Sequence, residues 1–273
     1  MTIRQIGVWI VALLCAQGVA LAESGPSDES RFVARHGAMP FYDRYLYPGG
    51  GVAMSLKTLS LPEERIMVLT FDDGPDSRDL AITALLAKQE IPATFFYVGS
   101  KVRAMSEIVQ EVMAGQHEIG FHSLRHQRLS WFAQSSLDEE FRQGRQIMDG
   151  LGITLTWFRP PYGDFNDRVV RSARQQGMET LLWTIDSRDW AGGSAKTIAE
   201  RVIRRFHPGA VLLFHSTRTA SLQALPEVLK AAEKEHYRFV TLAEWRRTIQ
   251  AAHCRLHKDS CAAAPPPGDA EQP

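Results

Sequence analysis

From residue 66 onward the chain keeps switching between two hydrophobic periods, and this alternation restricts the fold more than any other feature. Short runs rich in β-branched and aromatic residues occupy 66–71, 93–98, 118–121, 154–158, 179–185, 210–214 and 237–242. Between them, over 77–89, 106–114, 137–151, 166–176, 195–206, 221–235 and finally 243–252, apolar residues recur at steps of three and four. The first kind of run suits strands, and the second gives each helix one buried stripe. Strands alternating with helices predict parallel β/α units, in an open doubly wound sheet or a barrel. The seven units are one short of a full eightfold barrel. The expected fold class is therefore α/β, a distorted or incomplete (β/α) barrel of about seven parallel strands.

The ends of the chain read differently. Arg4 precedes an apolar run over 6–16, and Ala20-Leu21-Ala22 is a small-x-small cleavage site, so 1–22 reads as a secretory signal peptide. Gln17 and Gly18 leave the run short for spanning a bilayer. Leu14 is too bulky for lipid attachment at Cys15. Cleavage, a periplasmic or secreted location and no stable membrane insertion are the expectations. Residues 23–62 form a lead-in without a clear period, with an aromatic cluster at 41–47 and a Pro48-Gly49-Gly50-Gly51 loop. The tail 253–273, with Pro265-Pro266-Pro267, is expected to be disordered. Cys254 and Cys261 suit a small disulfide loop in an oxidising compartment, the alternative being a zinc pair with His253 or His257. The balance of 31 basic against 31 acidic residues leaves no footprint for nucleic acid or an anionic membrane surface.

Polar clusters fall just after the predicted strands. Asp72 and Asp73 follow the first, and His122-Ser123-Leu124-Arg125-His126 the third. Arg159-Pro160-Pro161-Tyr162-Gly163 follows the fourth, Asp186-Ser187-Arg188-Asp189-Trp190 the fifth, and His215 the sixth. In parallel β/α folds this rim is where active sites assemble. Neighbouring side chains of extended chain alternate sides, so one aspartate can grip a metal while the other stays free as a base. The plainer alternative is an acidic turn capping the next helix. His122 and His126 are four apart, which would put both rings on one side of a helical turn. Two imidazoles and one carboxylate suit a catalytic zinc with a position left for water, Asp73 being the best third ligand.

The run Thr70-Phe71-Asp72-Asp73-Gly74-Pro75, with His122-Ser123-x-x-His126, the Arg159–Gly163 cluster, Asp186-x-x-Asp189-Trp190 and Leu213-x-His215, resembles the five ordered motifs of the polysaccharide deacetylases. These are the NodB-homology, or family-four, carbohydrate esterases, and the resemblance covers 66–242 within an expected domain at 63–252. It implies a distorted (β/α) barrel and metal-dependent removal of acetyl groups from N-acetylated sugars. By the same resemblance Asp73, His122 and His126 would hold the metal. Asp72 would be the general base and His215 the general acid, oriented by Arg159 and Asp189 respectively. Trp190 and Leu213 would line the acetyl and sugar pocket.

These residue types match what amide hydrolysis requires. A base takes a proton from the attacking water, and an acid protonates the departing amine. Pro160 and Pro161 have no N–H, so Tyr162 is the first residue of its motif able to give a backbone donor to the oxyanion. A bidentate Arg159 would fix the carboxylate of Asp72. Zinc suits the donors best, and cobalt, nickel or manganese also fit. Two positions depart from many relatives: Phe121 replaces Asn before the first histidine, and Ser216 replaces Asp after the last. Trp183 is assigned to the core, while Trp131 and Phe132 suit either a sugar subsite or loop packing. His36, His117, His207 and His236 read as surface or helix-end residues. The expected function is N-deacetylation of a GlcNAc-containing polysaccharide such as peptidoglycan, a chitin-like oligomer or exopolysaccharide. The alternatives are an O-acetyl esterase on xylan or another glycan, and a sugar-binding protein on a retired enzyme scaffold.

Overall fold

The computed structural model describes residues 62–256 and two short antiparallel strands before them, β1 (Tyr45–Tyr47) and β2 (Gly51–Ala53). The expected signal peptide, His36, His257 and Cys261 lie outside the described residues, as does most of the expected lead-in and tail. Cys254 is disulfide-bonded.

The strands that follow are β3 (Ile66–Gly74), β4 (Thr94–Tyr97), β5 (Glu118–Phe121), β6 (Trp157–Phe158), β7 (Glu179–Thr180), β8 (Ile185–Asp186), β9 (Ala210–His215) and β10 (Arg238–Phe239). They form one eight-stranded sheet in the order β7-β6-β5-β4-β3-β9-β8, with β10 beside the start of β3. Every pairing within it is parallel. The helices are α1 (Arg78–Ala87), α2 (Gly99–Ala104), α3 (Ser106–Ala114), α4 (Gln134–Asp149), α5 (Asp167–Gln175), α6 (Ala195–Ile203), α7 (Thr219–Lys234) and α8 (Leu242–Leu256). Only α2 has no counterpart in the sequence reading. Its six residues are too few to show a stripe, and it is set by loop bonds, Gly99 N–H to Ser123 O and Ser100 N–H to Leu124 O.

The expected strand over 179–185 is in fact two, and they sit at opposite ends of the sheet. Four residues, 181–184, therefore cross the seam of an incomplete barrel. Leu181 N–H bonds Phe158 O on one side, and Thr184 N–H bonds Val211 O on the other. Between those bonds no strand is in register to satisfy the backbone.

Alternation along the strands separates two cores. Phe71, Phe95 and Phe214 face outward under the helices, with Phe71 stacked on Phe95 at 5.1 Å and 6.0 Å from Phe214. Thr70 and Asp72 face inward, where both meet Arg159. Gly120 is inward too, and a Cβ there would lie 2.6 Å from Phe96, so its lack of a side chain makes room for that ring. Phe121, where many relatives have Asn, is fully buried on the outer side against Phe141 and Phe158. Gly144 of α4 lets its ring approach the helix backbone. The substitution thus belongs to helix packing and does not enter the rim.

Candidate active site

Asp72 and Asp73 leave the same strand by different routes. Asp72 and Gly74 pair with Phe96 and Tyr97, which are consecutive, so Asp73 is the extra residue of a bulge, with φ 70°. Strict alternation, expected from the sequence, would have sent Asp73 toward the outer core with Phe71; the bulge overrides it. The bulge turns the side chain back to the rim, and Lys101 Nζ holds the Asp73 carbonyl at 2.7 Å.

The two histidines also converge by a different device from the expected one. His122 to His126 is an open loop, not a helical turn. Ser123 (φ 64°) and His126 (φ 55°) are left-handed, which a helix excludes. Ser123 Oγ accepts from His126 N–H at 2.8 Å, and the buried Glu140 carboxylate accepts from Leu124 N–H at 2.8 Å. Among the described residues, five of the eight non-glycine residues with positive φ are Asp73, Ser123, His126, Tyr162 and Arg188, all on this rim. Such conformations cost about 1–2 kcal/mol each, so local strain is concentrated at the site.

His122 Nδ1 lies 2.8 Å from the Arg159 carbonyl. A carbonyl can only accept, so Nδ1 carries the proton and the Nε2 lone pair faces the cavity. From there Nε2 is 3.5 Å from Asp73 Oδ1, and His126 Nε2 is 3.0 Å from the same oxygen. That oxygen is buried and accepts no hydrogen bond. Ligand atoms of Asp73, His122 and His126 all lie within 4.8 Å of one another. Lone pairs this close repel unless a cation or proton lies among them, so the donor set fits a divalent metal with nitrogen and oxygen ligands.

Asp72 stands beside this cluster. Its Oδ2 is 3.7 Å from His122 Nε2, and its Oδ1 accepts from Arg159 Nη1 at 2.7 Å. The Arg159 contact is single, not the expected bidentate fork. The other donors are used at the barrel seam: Nε bonds Leu181 O at 3.2 Å and Nη2 bonds Leu182 O at 2.9 Å. Nη1 also donates to Thr70 Oγ1, which donates to Leu212 O. The fully buried guanidinium lies 4.1 Å over the Phe96 ring.

Opposite, His215 is the register partner of Asp72 on the adjacent strand. Its Nδ1 lies 2.6 Å from Asp189 Oδ1, and its backbone N–H donates to Asp189 Oδ2 at 2.7 Å. Ser221 Oγ donates to that second oxygen, a contact the sequence did not indicate. Burial lowers the His215 pKa, but Asp189, with Asp72 and Asp73 behind it, raises it from 6.5 to about 9. Its imidazole is thus cationic at neutral pH, with Nε2–H left as the available donor.

These groups open into one cavity of about 870 Å³, walled also by Tyr162, Trp183, Asp186, Trp190 and Leu213. Tyr162 turns in a left-handed conformation, and its ring packs edge-on to His126 with centroids 4.7 Å apart. Trp190 is 49% exposed, so much of its indole is free, while Leu213 is buried at the cavity floor. Trp183 is buried, as expected, but lies in the seam and faces the cavity, not the helices. Trp131 is 80% exposed away from the cavity wall, and Phe132 packs on the core. His117 is a correction: it is buried, accepts from Ala93 N–H at 3.2 Å, and burial lowers its pKa. His207 bridges Pro208 O and Thr184 Oγ1, and His236 ends a helix in the open. Ser216 is buried behind the site, its N–H bonded to Asp72 O. Asp186 is raised by burial and takes bonds from the Arg188 N–H and Trp190 Nε1.

A sequence-family model described as polysaccharide deacetylase matches residues 61–181. The chain is 35% identical over 196 residues to a peptidoglycan-N-acetylglucosamine deacetylase of Bacillus cereus, covering 67% of this chain and 89% of that protein. It is 32% identical to the peptidoglycan-N-acetylmuramic acid deacetylase PdaC of Bacillus subtilis, covering 67% of this chain but 39% of that longer protein. The solved structure of PdaC superposes with a TM-score of 0.65 at 28% identity, over 72% of this chain and 98% of that one. A family-four carbohydrate esterase pseudoenzyme from Bacillus anthracis superposes equally well, TM-score 0.65 at 26% identity, over 68% of this chain and 66% of that one.

Proposed function

Because the chain belongs to the polysaccharide deacetylase family, we propose that it is a metal-dependent hydrolase removing acetyl groups from N-acetylated sugars, GlcNAc foremost, of a polysaccharide. The observation that carries the reading is the meeting of three lone-pair donors, on Asp73, His122 and His126, beside an Asp72 that is held by other means. A divalent cation there, zinc by preference, would polarise the amide carbonyl and lower the pKa of a bound water from about 15.7 toward roughly 7.

The remaining work falls to the chain's own residues. Asp72, its rotamer set by Arg159, accepts the proton of the attacking water. His215 donates its Nε2 proton to the departing amine, while Asp189 keeps the ring in the required tautomer and orientation. The Tyr162 backbone N–H is assigned to the developing oxyanion, a contact worth about 3 kcal/mol where it is made. Trp190 offers a flat face to the sugar, and Leu213 closes the acetyl end.

An amine leaves badly as an anion and needs a proton more than an alcohol does, so a His215 kept in its acid form at neutral pH suits N-acetyl substrates better than O-acetyl ones. The presence of the whole residue set in this sequence supports an active enzyme over a pseudoenzyme. Export to the periplasm or medium is part of the proposal, since peptidoglycan and exopolysaccharide lie outside the cytoplasm. No helix among the described residues is long and apolar enough to cross a membrane.

The test is acetate release from peptidoglycan, chitooligosaccharides, an acetylated β-1,6-glucosamine polymer and acetylxylan, each with and without chelator. The expected result is chelator-sensitive release from an N-acetylated substrate. Release unaffected by chelation, or confined to acetylxylan, overturns it.

A further inference from the structure

The exposed part of the cavity wall carries guanidinium groups that none of these steps uses. Arg128, Arg188, Arg205 and Arg218 all line the cavity, and all four are exposed. The chain as a whole is balanced at 31 basic and 31 acidic residues, so this concentration is local. Scattered exposed arginines are ordinary, but four lining one cavity of a neutral chain make its exposed wall locally basic.

The carboxylates that share the cavity are engaged elsewhere. Asp72 is ion-paired with Arg159, Asp73 faces two imidazoles, and Asp186 is bonded to a backbone N–H and an indole N–H. Among the described residues no ion pair engages Arg188 or Arg218, whereas Arg128 is 3.5 Å from Asp164. Two of the guanidiniums lie on the cavity's aromatic walls: Arg188 5.7 Å from the Trp190 ring centre, Arg128 4.6 Å from that of Tyr162. Resting on a ring restrains the guanidinium without neutralising it. A sugar stacked on the same exposed rings would bring its substituents against these forks, whose geometry matches a carboxylate.

We infer that this wall selects an N-acetylated glycan bearing carboxylates, with Arg188 and Arg218 binding the acid on the target sugar or its immediate neighbour. The inference rests on the deacetylase reading and narrows its substrate class. A lactyl ether on the amino sugar and a uronic acid beside it both supply the required group; a neutral GlcNAc homopolymer does not.

The experiment uses the metal-loaded protein and three tetrasaccharides: chitotetraose, alternating GlcNAc–N-acetylmuramic acid, and alternating GlcNAc–glucuronic acid. Each acidic one is paired with its carboxyl-amidated form. kcat/KM for acetate release and Kd by calorimetry are measured at low and high salt. At least one acid should exceed its own amide by about tenfold at low salt, and the preference should shrink as salt screens it. In the Arg188→Gln/Arg218→Gln variant the acid-to-amide ratio should fall toward one. The acid preferred identifies the source of the carboxylate. Equal rates and affinities for acid and amide, or a preference the variant keeps, overturn the inference and leave the deacetylase standing. No acetate from any substrate overturns both.

Discussion

At the scale of single residues, two adjacent aspartates acquire different surroundings through one left-handed backbone angle. Asp73 at the bulge faces imidazoles, whereas Asp72 stays in register and faces a guanidinium. Asp73→Asn should therefore lose metal, read as metal per protein after dialysis. Asp72→Asn should keep metal yet lose acetate release by 10²-fold or more, the usual scale for a general base. Metal loss in the second variant with normal loading in the first would reverse the roles. His215 gives a pH signature. In the proposed mechanism its acid form does the work, so the rate should fall as pH rises, with a limb at or below about 9. Asp189→Asn removes the main raising charge and should move that limb to lower pH; a limb that stays in place would dissociate His215 from Asp189. The same raised pKa links to stability. His215 contributes fully below its ordinary 6.5, and that contribution is lost as pH rises through about 9. The metal-free protein should lose Tm across that window, and Asp189→Asn should lose less.

At the scale of elements, the seam and the packing of α4 each hang on one unusual contact. Arg159 supplies donors to Leu181 O and Leu182 O where the sheet has no strand to do so. A lysine cannot reach both carbonyls, Thr70 and Asp72 at once. Arg159→Lys should cost about 1–3 kcal/mol for each buried acceptor left unmade, measured by denaturant melts, besides its effect on rate. On α4, Gly144 is a helix glycine whose replacement by alanine would ordinarily gain up to about 1 kcal/mol. Here the new Cβ would lie 2.1 Å from Phe121 Cζ. Overpacking of that kind costs about 1–3 kcal/mol, so the clash should win and Gly144→Ala should destabilise. Adding Phe121→Leu should recover part of the loss; stabilisation by Gly144→Ala alone would show the packing to be looser than described.

At the scale of the whole molecule, metal and fold should be coupled, because the three donor side chains come from β3 and from the loop after β5. A cation at a hundred times its Kd should add about 2.7 kcal/mol to stability. Chelation should lower Tm and abolish acetate release, with zinc restoring both; an unchanged Tm would mean that nothing binds at the cluster in the folded state. The parallel strand–helix alternation was legible because burying one face of each element imposes a period that a sequence displays. The clustering of Asp, His, Arg and Trp after successive strands was legible because a parallel sheet puts all those ends on one side. The order of residues along the chain thus determined which side chains reach the rim. It did not determine how they are aimed there. The bulge at Asp73, the open loop between His122 and His126, the seam that splits 179–185 and the single contact of Arg159 with Asp72 depend on partners distant in the chain. Only the closing of the sheet brings those partners within hydrogen-bonding range, and only then do the backbone angles that carry each side chain to its place become favourable.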